Sequence, residues 1–342
     1  MKVGELREKL SKMKKSEVIA LASEFYKLVP KAKKEVYDLD SMINNPAKKL
    51  TGKKQRNTTS SLLEIEKGVQ TFISNARDQY YLYPNRVVSK KERSTWRFQV
   101  KRWYKELNNQ KRADLDLAKQ AKLQHQLYEL LCESCNYEYF TAYDPFQSVG
   151  VEQLVYYCSV IELIIASEGK SNMVEKGIKL IVDNSVNRYT LPSELIEGLI
   201  VYLDIPDLKY KGIEKAKSMI KAHDYTPPKE PQQRSRVVFF SDLQKDYELR
   251  SFHNSLVALV LRLHLRLYEY EEGISYYHAN YYESSSEINL FILISILFEF
   301  QLKDQIVSEL ERAIGRGIEL RERLITLLNE IKKTDQLPSY MP

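Results

Sequence analysis

Glycine is scarce in this chain: eleven of 342 residues, about half of the usual ~7% share. Tight hairpin turns, strand bulges and phosphate-cradling loops draw on glycine, because it reaches backbone conformations closed to other residues. Long helices need little of it. With Leu, Glu, Lys and Ala abundant, the chain is predicted to be all-α. Hydrophobic residues make up 43% of it, enough for a real core. The expected build is two-lobed: a basic helical domain over 1–140, then a helical-hairpin array over 150–335 with a Pro-rich linker at 225–235.

Local signals place the helices. Ser16 is positioned to cap a helix ending before Pro30, and Lys31–Ile43 reads as the next. In Ser61–Tyr83, Leu62, Ile65, Val69, Phe72, Ile73 and Ala76 share one side at helical spacing. The segment Glu138–Val149, with Asp144-Pro145, reads as a turn or boundary. Beyond it come amphipathic pieces with short breaks, among them Ser241–Tyr270, Ser286–Leu302 and Asp304–Lys333. Leu261–Leu267 (LRLHLRL) alternates like a strand, but its apolar residues are Leu rather than Val or Ile and no turn brackets it. It reads as buried helix with Arg262 and Arg266 one turn apart. Asn289–Phe300 is apolar nearly all round, which predicts full burial or cover by a second subunit. The 24 tyrosines, many in doublets such as Tyr276-Tyr277 and Tyr281-Tyr282, are read as packing between helices. Helix pairs of about 30–40 residues resemble tetratricopeptide-like repeats in general architecture, but no signature positions recur. The opening VGELREKL is similar to a SAP-type DNA-binding motif, whose glycine-containing middle is missing from MKKSEVIALASEF. No family is assigned.

Charge divides the chain. Residues 1–120 carry net +14 and residues 121–342 net −8, although the total is only +6. Such asymmetry points to a polyanion-binding segment joined to a body with another task. Residues 84–112 hold ten Lys and Arg, two Glu and both tryptophans of the chain. Ser89 and Glu92 have the spacing of a capping box, which starts a helix running to Leu107. At about 3.6 residues per turn, Trp96, Val100, Trp103 and Leu107 form an apolar stripe. Arg93, Arg97, Lys101 and Lys105 form a cationic one, extended by Arg86 and Lys90. A row of cations matches the phosphates of a nucleic-acid backbone, and neutralising them releases counterions. The basic loop within Pro46–Ser60, with Lys48, Lys49, Lys53, Lys54 and Arg56, offers a second contact. The expected partner is nucleic acid or, through the same cations, an acidic protein surface. A homo-oligomer is compatible with either.

Catalytic chemistry is poorly supported. There is no GxxxxGK[ST] loop, HExxH, GxGxxG or GxSxG. The Arg–His spacing of HEPN-type all-α RNases is not met by Arg250 and His253 or by Arg262 and His264; both histidines are read as decorating a helix. Cys132 and Cys135 form one CxxC, with His125 earlier on the same side and Cys158 on the next helix. Structural zinc usually pairs two such motifs, and small buried thiols are the plainer reading. No cofactor, metal or catalytic residue is expected. Three cysteines make no disulfide framework, Met1–Lys15 lacks a signal-like apolar segment, and Ile288–Phe300 is too short and polar to span a bilayer. The reading is a cytoplasmic, non-enzymatic protein with no membrane partner.

Overall fold

The computed structural model describes residues 3–36, 39–44, 60–109, 114–223, 225 and 240–341. Among these, all regular structure is helical, with no strand. No helix of the described residues is long and apolar enough to cross a membrane. The chain forms two compact units, Met1–Ser60 and Ser61–Pro342.

The first unit holds α1 (Val3–Ser11), α2 (Lys15–Leu28), α3 (Lys31–Val36) and α4 (Leu39–Asn44). The serine signal puts the N-cap of α2 at Ser16, but it lies two residues earlier. Lys14 is its N-cap, and its backbone N–H donates to the Glu17 carboxylate at 2.8 Å. The Tyr26 hydroxyl donates to Asp40, tying α2 to α4. The Lys34 ammonium lies 4.0 Å from the Tyr26 ring centre.

The second unit opens with α5 (Leu62–Arg77), α6 (Lys90–Leu107), α7 (Leu117–Asn136), α8 (Pro145–Val149) and α9 (Gln153–Glu168). The six apolar residues aligned by spacing in α5 are its buried set. Gly68 of α5 permits close approach: a Cβ there would stand 2.9 Å from the Trp103 ring. Tyr128 of α7 meets Tyr156 and Tyr157 of α9 at ring-centre distances of 5.8 and 6.2 Å, and Tyr104 of α6 meets Tyr156 at 4.7 Å. Side chains therefore pack between helices on either side of 138–150, where turn signals suggest a boundary. Gln153, fully buried, serves the loop after α10 (Lys170–Val182): its Nε2 donates to the Ser185 carbonyl at 3.0 Å, and its Oε1 accepts the Asn187 N–H at 2.7 Å.

The rest is α11 (Pro192–Ile200), α12 (Pro206–His223), α13 (Phe240–Arg266), α14 (Tyr270–Asn280), α15 (Ser286–Glu299), α16 (Lys303–Gly315) and α17 (Glu322–Thr334). α9 packs on α10 and α11, α12 on α13, α13 on α14, and α15, α16 and α17 in succession. Asp304–Lys333, read as one helix, is two. The break follows Gly317 at φ +74°, where the Gly317 and Ile318 N–H groups donate back to Ile314 and Ala313 carbonyls. Only glycine takes that conformation cheaply.

LRLHLRL forms the last turns of α13 and runs one residue past its end, with Leu261, Arg262, Leu263, His264 and Leu265 all buried. A helix enclosed on every side loses the 3.6-residue period, which explains its strand-like pattern. α15 is not enclosed all round. Leu290, Leu293, Ile294, Ile296 and Leu297 are buried, while Arg321 lies over Phe291 at 4.2 Å and Arg266 near Phe300 at 5.2 Å. Guanidinium groups lie over these aromatic rings.

His253 is buried, not a surface decoration. Its Nε2–H donates to the Asn280 carbonyl at 2.7 Å, and its ring lies 4.8 Å from that of Tyr282 and 5.6 Å from that of Tyr225. Nδ1 has no hydrogen-bond partner among the described residues. A second proton there would leave a buried N–H without an acceptor. Burial lowers the His253 pKa and nearby His223 pushes the same way, while the Asn280 carbonyl opposes them. The unfolded chain, titrating near ~6.5, then binds more protons than the folded one just below that pH. Stability is expected to fall as pH drops from about 7.5 to about 5.5, and H253Q to flatten the drop. Urea midpoints across that range check it; an identical slope in H253Q rejects it.

Candidate nucleic-acid interface

Helix α6 starts as its capping box requires. The Ser89 hydroxyl accepts the Glu92 N–H at 3.3 Å, and the Glu92 carboxylate accepts the Ser89 N–H at 3.2 Å. Its buried residues are Trp96, Val100, Trp103 and Leu107. Trp96 stacks on Phe140 at 4.0 Å, Phe140 on Phe72 at 5.6 Å, and Trp103 meets Phe72 edge-on at 5.6 Å. Gln120 of α7 donates to the Leu107 carbonyl at 2.6 Å, securing the far end. One side of α6 is thus locked into an aromatic core, and the other is presented at a set orientation.

The cations divide by what they touch. Arg86, Lys90, Arg97 and Lys105 are exposed. Among the described residues, no carboxylate lies within ion-pair distance of them. Arg93 is engaged: its guanidinium donates to the Asn85 carbonyl at 2.8 Å and to Leu82 at 3.4 Å, holding the loop before the helix. Lys101 is half-buried and donates to the Gly150 carbonyl at 3.4 Å. Two cations outside the four-residue stripe, Lys91 and Arg102, are exposed instead. Arg102 makes a long 3.7 Å pairing with Glu106. The outward face is therefore rotated from the predicted stripe toward Lys91, Phe98 and Arg102. Phe98, in its midst, is 60% exposed. Counting every fourth residue found the row but not which members the fold consumes. Lys48, Lys49, Lys53, Lys54 and Arg56 lie outside the described residues.

No known protein family, curated protein or solved structure matches this chain.

The thiols do not converge. Cys132 is buried against the Gln153 amide at 3.4 Å, and Cys135 donates to the Leu131 carbonyl at 3.3 Å. Burial pushes the Cys132 thiol well up and Cys135 up to about 12, so both stay protonated. His125 pairs with Glu129 at 3.3 Å. Among the described residues, no three His, Cys, Asp or Glu side chains are grouped to hold a metal ion.

The back array has a cleft of about 410 Å³ lined by residues that include Pro192, Tyr247, Arg250, Asn254, Arg262 and Tyr281. Tyr277 does not line a groove: it is fully buried, donates to the Asn289 carbonyl at 3.0 Å and stacks on Tyr281 at 4.5 Å.

Proposed function

We propose that this is a non-enzymatic nucleic-acid-binding protein that contacts phosphates through the exposed face of α6. The observation that carries the reading is a row of cations, Lys90, Arg97 and Lys105, with no ion-pair partner among the described residues, on a helix anchored by two buried tryptophans, with Arg86 exposed in the loop before it. Water-facing cations on a rigid helix keep their charge available and lose little conformational freedom on binding. Phosphate contacts of this kind give affinity without base specificity. Lys91 and Arg102 widen the row. The three reduced thiols fit a cytoplasmic setting.

Fluorescence-anisotropy titrations with DNA and RNA at low and moderate salt test the reading. The affinity should fall steeply with salt. R97Q/K105Q should weaken binding across unrelated sequences and reduce the duplex salt slope by roughly 0.9 per lost contact. Absence of salt-dependent binding to both DNA and RNA would sink the reading. An acidic protein surface would meet the same cations. A defined partner retained after nuclease treatment would favour that helical-adaptor reading.

A further inference from the structure

A large aromatic ring sits where a purely phosphate-binding face has no use for one. Phe98 lies on the side of α6 away from Trp96 and Trp103, and it is 60% exposed. It falls among Lys91, Arg97, Arg102 and Lys105, with the Arg97 guanidinium 4.9 Å from its ring centre. A single exposed apolar side chain is ordinary on a protein surface. Here two more accompany it in the run that leads into the helix: Tyr83 is 88% exposed and Val87 67%. Arg86 and Lys90 are interleaved with them. The buried aromatic cluster beneath has taken Phe72, Tyr81, Trp96, Trp103 and Phe140, so the outward rings are not needed for the core.

Phosphate contact and an exposed ring make different demands. A duplex presents phosphates and base edges, while its base faces are stacked on one another. A ring on the protein meets sugar and phosphate unless it wedges a base step open, at a cost in unstacking. A single strand presents free base faces next to its phosphates. Aromatic side chains stack on them whatever the base, while neighbouring cations track the backbone. Arginine adds planar stacking of its own. An exposed ring set among cations therefore suits a single strand better than a duplex.

We propose that the α6 face takes single-stranded nucleic acid in preference to duplex, with Phe98 as a stacking platform and Arg97 and Lys105 on the flanking phosphates. The proposal rests on the phosphate-binding reading above and narrows its ligand.

The test is an anisotropy titration of the full chain with oligo(dT), oligo(U) and a duplex of equal phosphate number, at two salt concentrations. Wild type, F98A and R97Q/K105Q are compared, with helical circular dichroism melts to show that each variant is folded. Phe98 is exposed, so F98A should melt like wild type. The expected result is tighter binding of single strands than of duplex. F98A should lose roughly tenfold in single-strand affinity, bringing it level with duplex. The dT and U arms report whether the strand is DNA or RNA. Equal wild-type affinity for single strands and duplex, with F98A unchanged, overturns the single-strand proposal and leaves the phosphate reading standing. Salt-independent or absent binding in every arm overturns both, and leaves an acidic protein surface as the ligand of the cationic face.

Discussion

Trp103→Ala is expected to lower the unfolding free energy of the Ser61–Pro342 unit by about 3–5 kcal/mol, the range for deleting a buried tryptophan. The upper part of that range applies for a structural reason. Trp103 is 2% exposed and lies directly over Gly68, where even a Cβ would come within 2.9 Å of the ring. A glycine has no side chain to swing into the space, so the hole cannot collapse from that side. Phe72, edge-on at 5.6 Å, loses an aromatic partner as well. Phe72 is in turn stacked with Phe140, which stacks with Trp96, so loosening spreads to the second anchor of α6. Urea unfolding followed by circular dichroism measures this directly. A loss smaller than about 1.5 kcal/mol, the scale of a volume-conserving core change, would show that α6 is held by something other than its tryptophans. Because the cations of α6 lie on the opposite side, binding by the variant should decline in step with its folded fraction.

Arg262→Ala is expected to cost about 3 kcal/mol, the lower end of the range for removing one partner of a buried ion pair. Arg262 is 2% exposed inside α13 and donates to Glu197 of α11 at 2.8 Å and to Glu299 of α15 at 2.5 Å. One guanidinium thus joins three helices. Two facts keep the loss from the top of the range. Glu299 is half exposed and regains water when its partner leaves. Glu197 keeps Arg266, which donates to its other oxygen at 2.9 Å. Arg266→Ala supplies the contrast. Its side chain is 48% exposed, and removing it should cost under about 1 kcal/mol, as for other solvated pairs. The two arginines are four residues apart and share one glutamate, but Arg262 is buried and also holds Glu299, while Arg266 is solvated. Equal losses in the two variants, read from urea midpoints, would reject that account. Arg262→Lys should recover part of the loss, because a single nitrogen, Nη1, meets both carboxylates and an ammonium also carries donors for two acceptors.

The relation between sequence and fold differs from element to element. Helices with a one-sided apolar stripe were legible: α5 and α6 bury the residues that spacing aligns. Helix ends are legible where a side chain caps them, as at Ser89, whereas the stop at Gly317 rests on a positive φ that apolar spacing does not encode. Elements enclosed on many sides were legible only in part. In α13 the period disappears because every face is apolar or paired, and His253 and His264 look like surface residues until their partners are known. Asn280, Glu269 and Lys217 are those partners. Asn280 and Lys217 are 27 and 47 residues away in sequence, so no local pattern points to them, and Glu269, five residues on, lies past the end of the helix.

The candidate interface shows the same division. Capping, the tryptophan stripe and the cationic row all follow from spacing along one helix, because side chains three and four apart share a face. Which cations remain available depends on the loop at 82–85 and on Gly150, whose carbonyls lie against Arg93 and Lys101. Those carbonyls are backbone groups that need donors, and any residue type supplies one, so composition is silent about them. By itself the sequence determined that this chain is helical, where its first apolar stripes lie, and that its cations are segregated. Tertiary structure alone decided which of those cations are consumed by the fold, that Phe98 is left standing among the free ones, and that Arg262 bridges three helices. The first set rests on interactions within a turn or two of chain. The second rests on contacts between distant segments, whose pairing is settled only when the helices pack.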